Sequence, residues 1–459
     1  MIVHPAVDVH SALQSTRDAS DALETLSQLT QLQQWSDSLR KERLDHSRMS
    51  WQRHAAQLIH EDLFVNEYTM SYDAHSELVD ILRPFLQRKE YNSRSSEPIA
   101  VEHMVAAGLR VLQGGRAKDQ RHIVGSSRAA CYAMVDDFID AVNSAPELDI
   151  KFPQNPDEWR AVNEGFRKRS FNDIMGGAVG AVDGFFQRCN RPTTKETNNV
   201  VSYYSGHYES YGVNCLAAVR ADLQFTYFGI ISPGSTNDVV SYSLAASLKE
   251  MIENLPLGLY FLADAAFPLG ERLLTPFVGS QRHINPYNDS FNFYLSQLRI
   301  RVEMAFGRLV NKFRILSGKI NGSLSRVSAI LSACARLHNY IIQRDGPCDE
   351  ETVDMTTSDD EHFLQIRPDY NAPLGMSYLP SVPDDRYIFE TEEGDSQTRT
   401  EIVEFLRSHS LRRPLYNLQR RRRELAAQCQ QQEMDDGWVF SQNGDGHAYA
   451  VQREFISPS

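Results

Sequence analysis

Several common signals are missing from this 459-residue chain. Its six cysteines, Cys131, Cys189, Cys215, Cys334, Cys348 and Cys429, form no C-x-x-C pair, and no Cys/His cluster stands at zinc-ligand spacing. A disulfide framework and a zinc site are therefore not expected, and the thiols should stay reduced in a reducing compartment. No stretch approaches the roughly 18 uninterrupted apolar residues of a membrane span. The first residues, "MIVHPAVDVH", lack the charged-then-apolar order of a secretory signal. An intracellular protein without a membrane role is expected. Excess positive charge is missing too, since the net charge of −13 argues against a chain that coats nucleic acid non-specifically.

What is present is segregated. From Asp345 to Glu361 there are eight acids and no Lys or Arg, whereas Asn292 to Lys319 carries six bases (Arg299, Arg301, Arg308, Lys312, Arg314 and Lys319) and one acid, Glu303. The overall charge thus hides a local basic surface. With 41% hydrophobic and 10% aromatic residues, the chain can bury a substantial core in two or three domains.

Residues 1–62 read as a helical, weakly anchored leader, and 63–150 as a small all-helical domain. Within it, "IAVEHMVAAGLRVLQGG", the short "AKDQRHIV", a Gly125-Ser126-Ser127 turn and "SRAACYAMVDDFIDAV" follow the order of a helix-turn-helix. A plain helical bundle reads equally well. Arg128 favours DNA contact, whereas Asp136, Asp137 and Asp140 keep the far end of that helix away from it. Residues 171–345 switch to strands ("GGAVGAVD", "VNCLAAVR", "QFTYFGII", "GLYFLAD"), with a helix before the fourth strand and two long helices after it. This is an α/β order with a mixed sheet. Residues 346–396 read as an acidic linker and 397–459 as a helical, basic tail carrying Arg420 to Arg423.

Two acids stand where strands are expected to leave the sheet: Asp183 before Gly184, and Asp264 in "FLADAAF". On parallel neighbours they share a carboxyl edge, where ligands bind. Glu303 lies at the margin of a helical apolar stripe formed by Val302, Ala305, Phe306, Leu309 and Phe313. Three carboxylates without Cys or His suit hard cations, and two Mg²⁺ or Mn²⁺ ions about 4 Å apart serve phosphodiester chemistry. The bases Arg299, Arg308, Lys312 and Arg314 would then hold the DNA backbone.

The ordered blocks "GAVDG", "YYSGHYESYGVN", "ISPGSTNDVV", "FLADAAFPLGERLLTPF", "FNFYLSQLRIRVEMAFGRLVNKFRIL" and "LSACARLHNYI" resemble the nuclease domain of Harbinger-type DDE transposases and their domesticated relatives. The resemblance implies an RNase H-like core with Asp183, Asp264 and Glu303 as catalytic, metal-binding acids, preceded by a helix-turn-helix-type domain. It implies a nuclear Mg²⁺-dependent enzyme in which metal-activated water cuts at element ends and the freed 3′-OH joins target DNA. A separate Myb-like DNA-binding partner is implied as well, and self-association is a further expectation. The alternative is a domesticated, non-transposing protein that binds DNA or forms complexes on the same fold. Asp238 in "GSTND" matches a family position and is read as a helix N-cap; His207 and Arg282 match loops near the family's site and are read as structural. Tyr208 and Glu209 depart from the Lys or Arg common after "YSGH", and "DAAF" replaces Asp-Ala-Gly-Tyr. An aspartyl-nucleophile phosphohydrolase is disfavoured, because a second acid is needed two residues before Asp183 and Ala181 stands there.

Overall fold

The computed structural model describes residues 26–32, 34, 48–86, 99–346, 396–414, 438–442 and 448–452. The expected acidic linker from 347 to 395, the Arg420 to Arg423 run, Cys348 and Cys429 lie outside the described residues. The four cysteines inside them are buried and unbridged.

The chain is anchored from Trp51, earlier than the reading of residues 1–62 as a leader anticipates. In α1 (Trp51–His60), Trp51, Ala55 and Leu58 recur at i, i+4 and i+7 and are all buried, with Trp51 stacked on His75 at 4.8 Å. Next come α2 (Phe64–Tyr68), α3 (Tyr72–Leu86), α4 (Val101–Leu112), a short 3₁₀ turn running into α5 (Arg121–Val124), and α6 (Arg128–Ser144). Gly125, at φ 58°, closes α5 in the left-handed region, and the Ser127 hydroxyl caps α6 by accepting from the Ala130 amide.

This helical part shares one apolar core with the sheet and with the later helix α12 (Leu324–Asp345). Asn143 donates to the Ala329 carbonyl at 2.9 Å, the Tyr340 hydroxyl donates to the Ala74 carbonyl at 2.6 Å, and Asp136 pairs with Arg326. Asp136, read from the sequence as an acid that keeps this end of α6 away from DNA, docks the helix on α12.

After α7 (Pro156–Arg167) the sheet begins. Its strands are β1 (Ala178–Arg188), β2 (Tyr204–Ser205), β3 (Ser210–Val219), β4 (Phe225–Pro233), β5 (Tyr260–Leu262) and β6 (Leu273–Leu274). The path runs β2, β3, β1, β5, β6, with β4 also paired to β3. β1 is antiparallel to β3 and parallel to β5, and β5 is parallel to β6. Period-two alternation divides β3: Cys215, Ala217 and Val219 face the core shared with α12, while Leu216 and Ala218 face a second core with Trp159, Tyr242 and Leu248.

Three local readings change. β1 does not end at Asp183 but runs five residues further, paired with β3 from Asp183↔Ala217 to Arg188↔Gly212. The expected single helix after β4 is two, α8 (Asp238–Leu244) and α9 (Ala246–Glu253), broken at Ala245. The long helix starts before Asn292: after the short α10 (Gln281–Ile284), α11 spans Pro286–Lys312, with Asn285 as its N-cap and Pro286 in its first turn.

The block "LHNYI" lies on α12, where Asn339 accepts from the Phe225 amide and donates to its carbonyl, clamping the start of β4. A helix of the C-terminal segment, α13 (Gln397–Ser408), is docked: Ile402, Val403 and Leu406 join a third core with Leu295 and Leu298 of α11. The Glu271 carboxylate accepts from the Gln397 and Thr398 amides at its first turn, at 2.8 and 3.1 Å. β7 (Trp438–Gln442) and β8 (Ala448–Gln452) form an antiparallel pair. Leu406→Ala is expected to destabilise the protein by about 2–4 kcal/mol in denaturant unfolding. An unchanged midpoint would mean that α13 adds nothing to the folded unit.

Candidate active site

The neighbouring strands β1 and β5 run parallel in the register Ala181↔Leu262, so two residues further along each chain stand Asp183 and Asp264. Asp183 is on the same strand face as Ala181 and Phe185, the face turned to α11, where the Phe185 ring packs 5.2 Å from that of Phe306. One turn back from Phe306 is Glu303. The apolar contact thereby sets the height at which the helix presents its acid to the sheet.

Arg299 joins the two. Its Nη2 lies 2.6 Å from Glu303 Oε1, an i, i+4 pair, and its Nη1 lies 3.3 Å from Asp183 Oδ2. Asp183 Oδ1 accepts from the Gly184 amide, and Asp264 Oδ1 accepts from the Ala266 amide, which turns the chain just after β5. Burial and the charge of Asp264 push the Asp183 carboxyl well above the usual carboxylate range, against the pull of Arg299. Burial likewise raises Asp264.

A fourth acid belongs here. Asn237, not Asp238, caps α8 by accepting from the Val240 amide. Asp238 is freed from that role, and its carboxyl is pushed up to about 6 by burial and by Asp264. Gly184 makes room for it, because a Cβ there would stand 2.8 Å from Asp238 Oδ1. The apparent strand breaker is thus a clearance. The signal in the sequence was the tandem Asn237-Asp238, of which only one can cap, together with the glycine beside Asp183. Tyr208 also approaches: its ring stacks on Phe186 at 4.3 Å and 8°, and burial, then Asp238 and Asp183, raise its hydroxyl.

The other expected residues are dispersed. Arg308 is half-buried, Arg314 is exposed, and the Lys312 amine sits 3.5 Å from the Thr69 carbonyl. Arg128 is exposed at the start of α6, 5.9 Å from the Tyr132 ring centre. His207 is exposed, and Arg282 pairs with Asp289 at 2.5 Å.

Among the described residues, no three His, Cys, Asp or Glu side chains converge as a finished metal cage. The donor set nevertheless fits a hard divalent cation: carboxylate oxygens from two strand positions and a helix, with the two aspartate carboxyls raised chiefly by burial.

Residues 182–339 match the family described as DDE superfamily endonuclease, a span that contains Asp183, Asp238, Asp264 and Glu303. The chain is 25% identical over 294 residues to Protein ALP1-like of Arabidopsis thaliana, covering 60% of this chain and 68% of that protein. It is 24% identical over 274 residues to Putative nuclease HARBI1 of Rattus norvegicus, covering 58% and 73%. No solved structure matches the chain.

The raised Asp238 carboxyl carries a pH dependence. A group whose folded pKa exceeds its unfolded value stabilises the native state below the unfolded value, and that contribution is lost as pH rises through the folded one. For Asp238 the window runs from the usual 3.8 to about 6. Asp238→Asn is expected to flatten the fall in metal-free melting temperature across that window and to add on the order of 2 kcal/mol near neutral pH. A lower melting point in the variant would mean that the carboxylate is held by a favourable partner instead.

Proposed function

We propose that the protein is a divalent-metal-dependent enzyme of the Harbinger type that cleaves DNA strands, with Asp183, Asp264 and Glu303 as its catalytic acids; the match of residues 182–339 to the DDE superfamily endonuclease family and the likeness to the two relatives support it. The observation that carries this reading is the parallel β1–β5 register, with both aspartates two residues beyond its last pair and α11 packed across it. We read the sheet as RNase H-like: antiparallel β4, β3 and β1 continue into parallel β5 and β6.

When bound, Mg²⁺ or Mn²⁺ supplies Lewis-acid activation of the nucleophile and stabilises the departing oxygen. The chain supplies position. Asp183 is fixed by the β1–β3 ladder, Asp264 by its turn to the Ala266 amide, and Glu303 by the packing of Phe306. The Tyr208 ring, stacked on Phe186, brings its hydroxyl within electrostatic reach of Asp238 and Asp183. Strand transfer of the freed 3′-OH to target DNA, a nuclear location and a Myb-like recruiting partner belong to the same reading.

Asp183→Asn, Asp264→Asn and Glu303→Gln should each abolish Mn²⁺- or Mg²⁺-dependent nicking of plasmid DNA while the variants stay folded. Wild-type nicking by any one of them removes that residue from the site. A wild-type protein that binds DNA without cutting it would favour the domesticated, non-cutting alternative.

DNA approach is assigned to Arg308 and Arg314 on the end of α11 and just beyond it, and to Arg128. Replacing Arg308 and Arg314 with Gln should weaken DNA binding and reduce its salt slope by about 0.9 per lost phosphate contact. An unchanged slope would make this a solvated surface.

A further inference from the structure

The acid cluster already holds a cation. Arg299 is only 21% exposed, and its two terminal nitrogens reach Glu303 on its own helix and Asp183 on the sheet, at 2.6 and 3.3 Å. Asp264 also acts on the same guanidinium. The planar fork of Arg lets one guanidinium reach two carboxylates at once, each contact charge-assisted. Without it, burial would leave like charges facing each other across the gap between sheet and helix.

A divalent ion held by Asp183 and Glu303 would compete with Arg299 for the carboxylates it now pairs with, at Asp183 Oδ2 and Glu303 Oε1. A guanidinium and a dication cannot share that gap, through contact and through charge repulsion at close range. We propose that Arg299 is a resident counter-ion: it holds the carboxylates together before metal loading and leaves them when a divalent cation takes its place. This rests on Asp183 and Glu303 being the metal ligands. Loading is then an exchange of cations, and metal binds more weakly than it would to the bare acids. The released guanidinium lacks an anionic partner until a phosphate arrives. DNA and metal binding are therefore coupled through one side chain, each tightening the other.

The test is Mn²⁺ binding by the full chain, read from the free-ion electron paramagnetic resonance signal and from melting temperature, with and without an uncleavable phosphorothioate duplex. Arg299→Gln should melt lower than wild type without metal, bind Mn²⁺ on the order of tenfold tighter, and lose the tightening that the duplex gives to wild type. Arg299→Lys, a charge that cannot bridge both acids, should fall between them and carries the comparison if the Gln variant does not fold. A purely structural ion pair gives the opposite pattern, lower melting with equal or weaker Mn²⁺ affinity, and would overturn the proposal while leaving the acids as ligands. If Glu303→Gln binds Mn²⁺ as wild type does, or if wild type and Arg299→Gln both fail to bind it, the ligand assignment itself falls and takes the exchange with it.

Discussion

Like charges brought together in a poorly solvated place are the constraint from which much of this architecture follows. Asp183 sits in the middle of an 11-residue strand, where a carboxylate is costly, the charges of Asp264 and Glu303 act on it, and Asp264 acts in turn on Asp238. Nothing in such a cluster favours its own assembly. The ladder of β1 on β3 holds Asp183 in place, Gly184 clears space for Asp238, and Arg299 offsets part of the charge. Each is a response to one electrostatic problem rather than a separate feature.

The same constraint explains the secured frame around α11. A helix that must present Glu303 to the sheet edge needs to resist both rotation and sliding. Its first half is packed by Leu295 and Leu298 against α13, and its second half by Val302, Phe306 and Leu309 in the core shared with α12 and the N-terminal helices. The Tyr294 hydroxyl adds a tie by donating to the Arg412 carbonyl at 3.1 Å. A C-terminal segment separated by some fifty residues from the sheet domain thus braces the helix that carries the third acid. Its buried apolar residues join it to the fold together with charged contacts, Arg413 to Asp289 and Arg399 over the Phe277 ring.

How much of this was legible in the sequence depended on range. Periodicity and turn residues identified the helices and strands because those signals lie within a few residues: the Gly125-Ser126-Ser127 turn before α6, and the stripe through Val302 and Phe306. The sequence placed Asp183 beside Asp264 only on the condition that their strands be parallel neighbours, and the β1–β5 register meets that condition. What escaped required knowledge of a distant neighbour. Gly184 reads as a strand stop until Asp238, 54 residues later, is known to press on it. Arg299 reads as a DNA-facing base until its helix is laid over the sheet and the guanidinium meets Asp183. The docking of α13 was hidden because the partner of Leu406 lies a hundred residues earlier, and in isolation "EIVEFLRS" is an ordinary amphipathic helix.

A cluster that costs stability persists only where the surrounding fold can carry the cost. Here that capacity comes from one core with members from Trp51 in the N-terminal helices to Ile342 on α12, so the helical part is structural ballast for the acids. The join is visible on α6 and α12: Asp136 in the far half of α6 pairs with Arg326 of α12, and Asn339 of α12 clamps the start of β4. The helical part and the sheet are thus held together by packing that the sequence shows only as two unrelated apolar stripes.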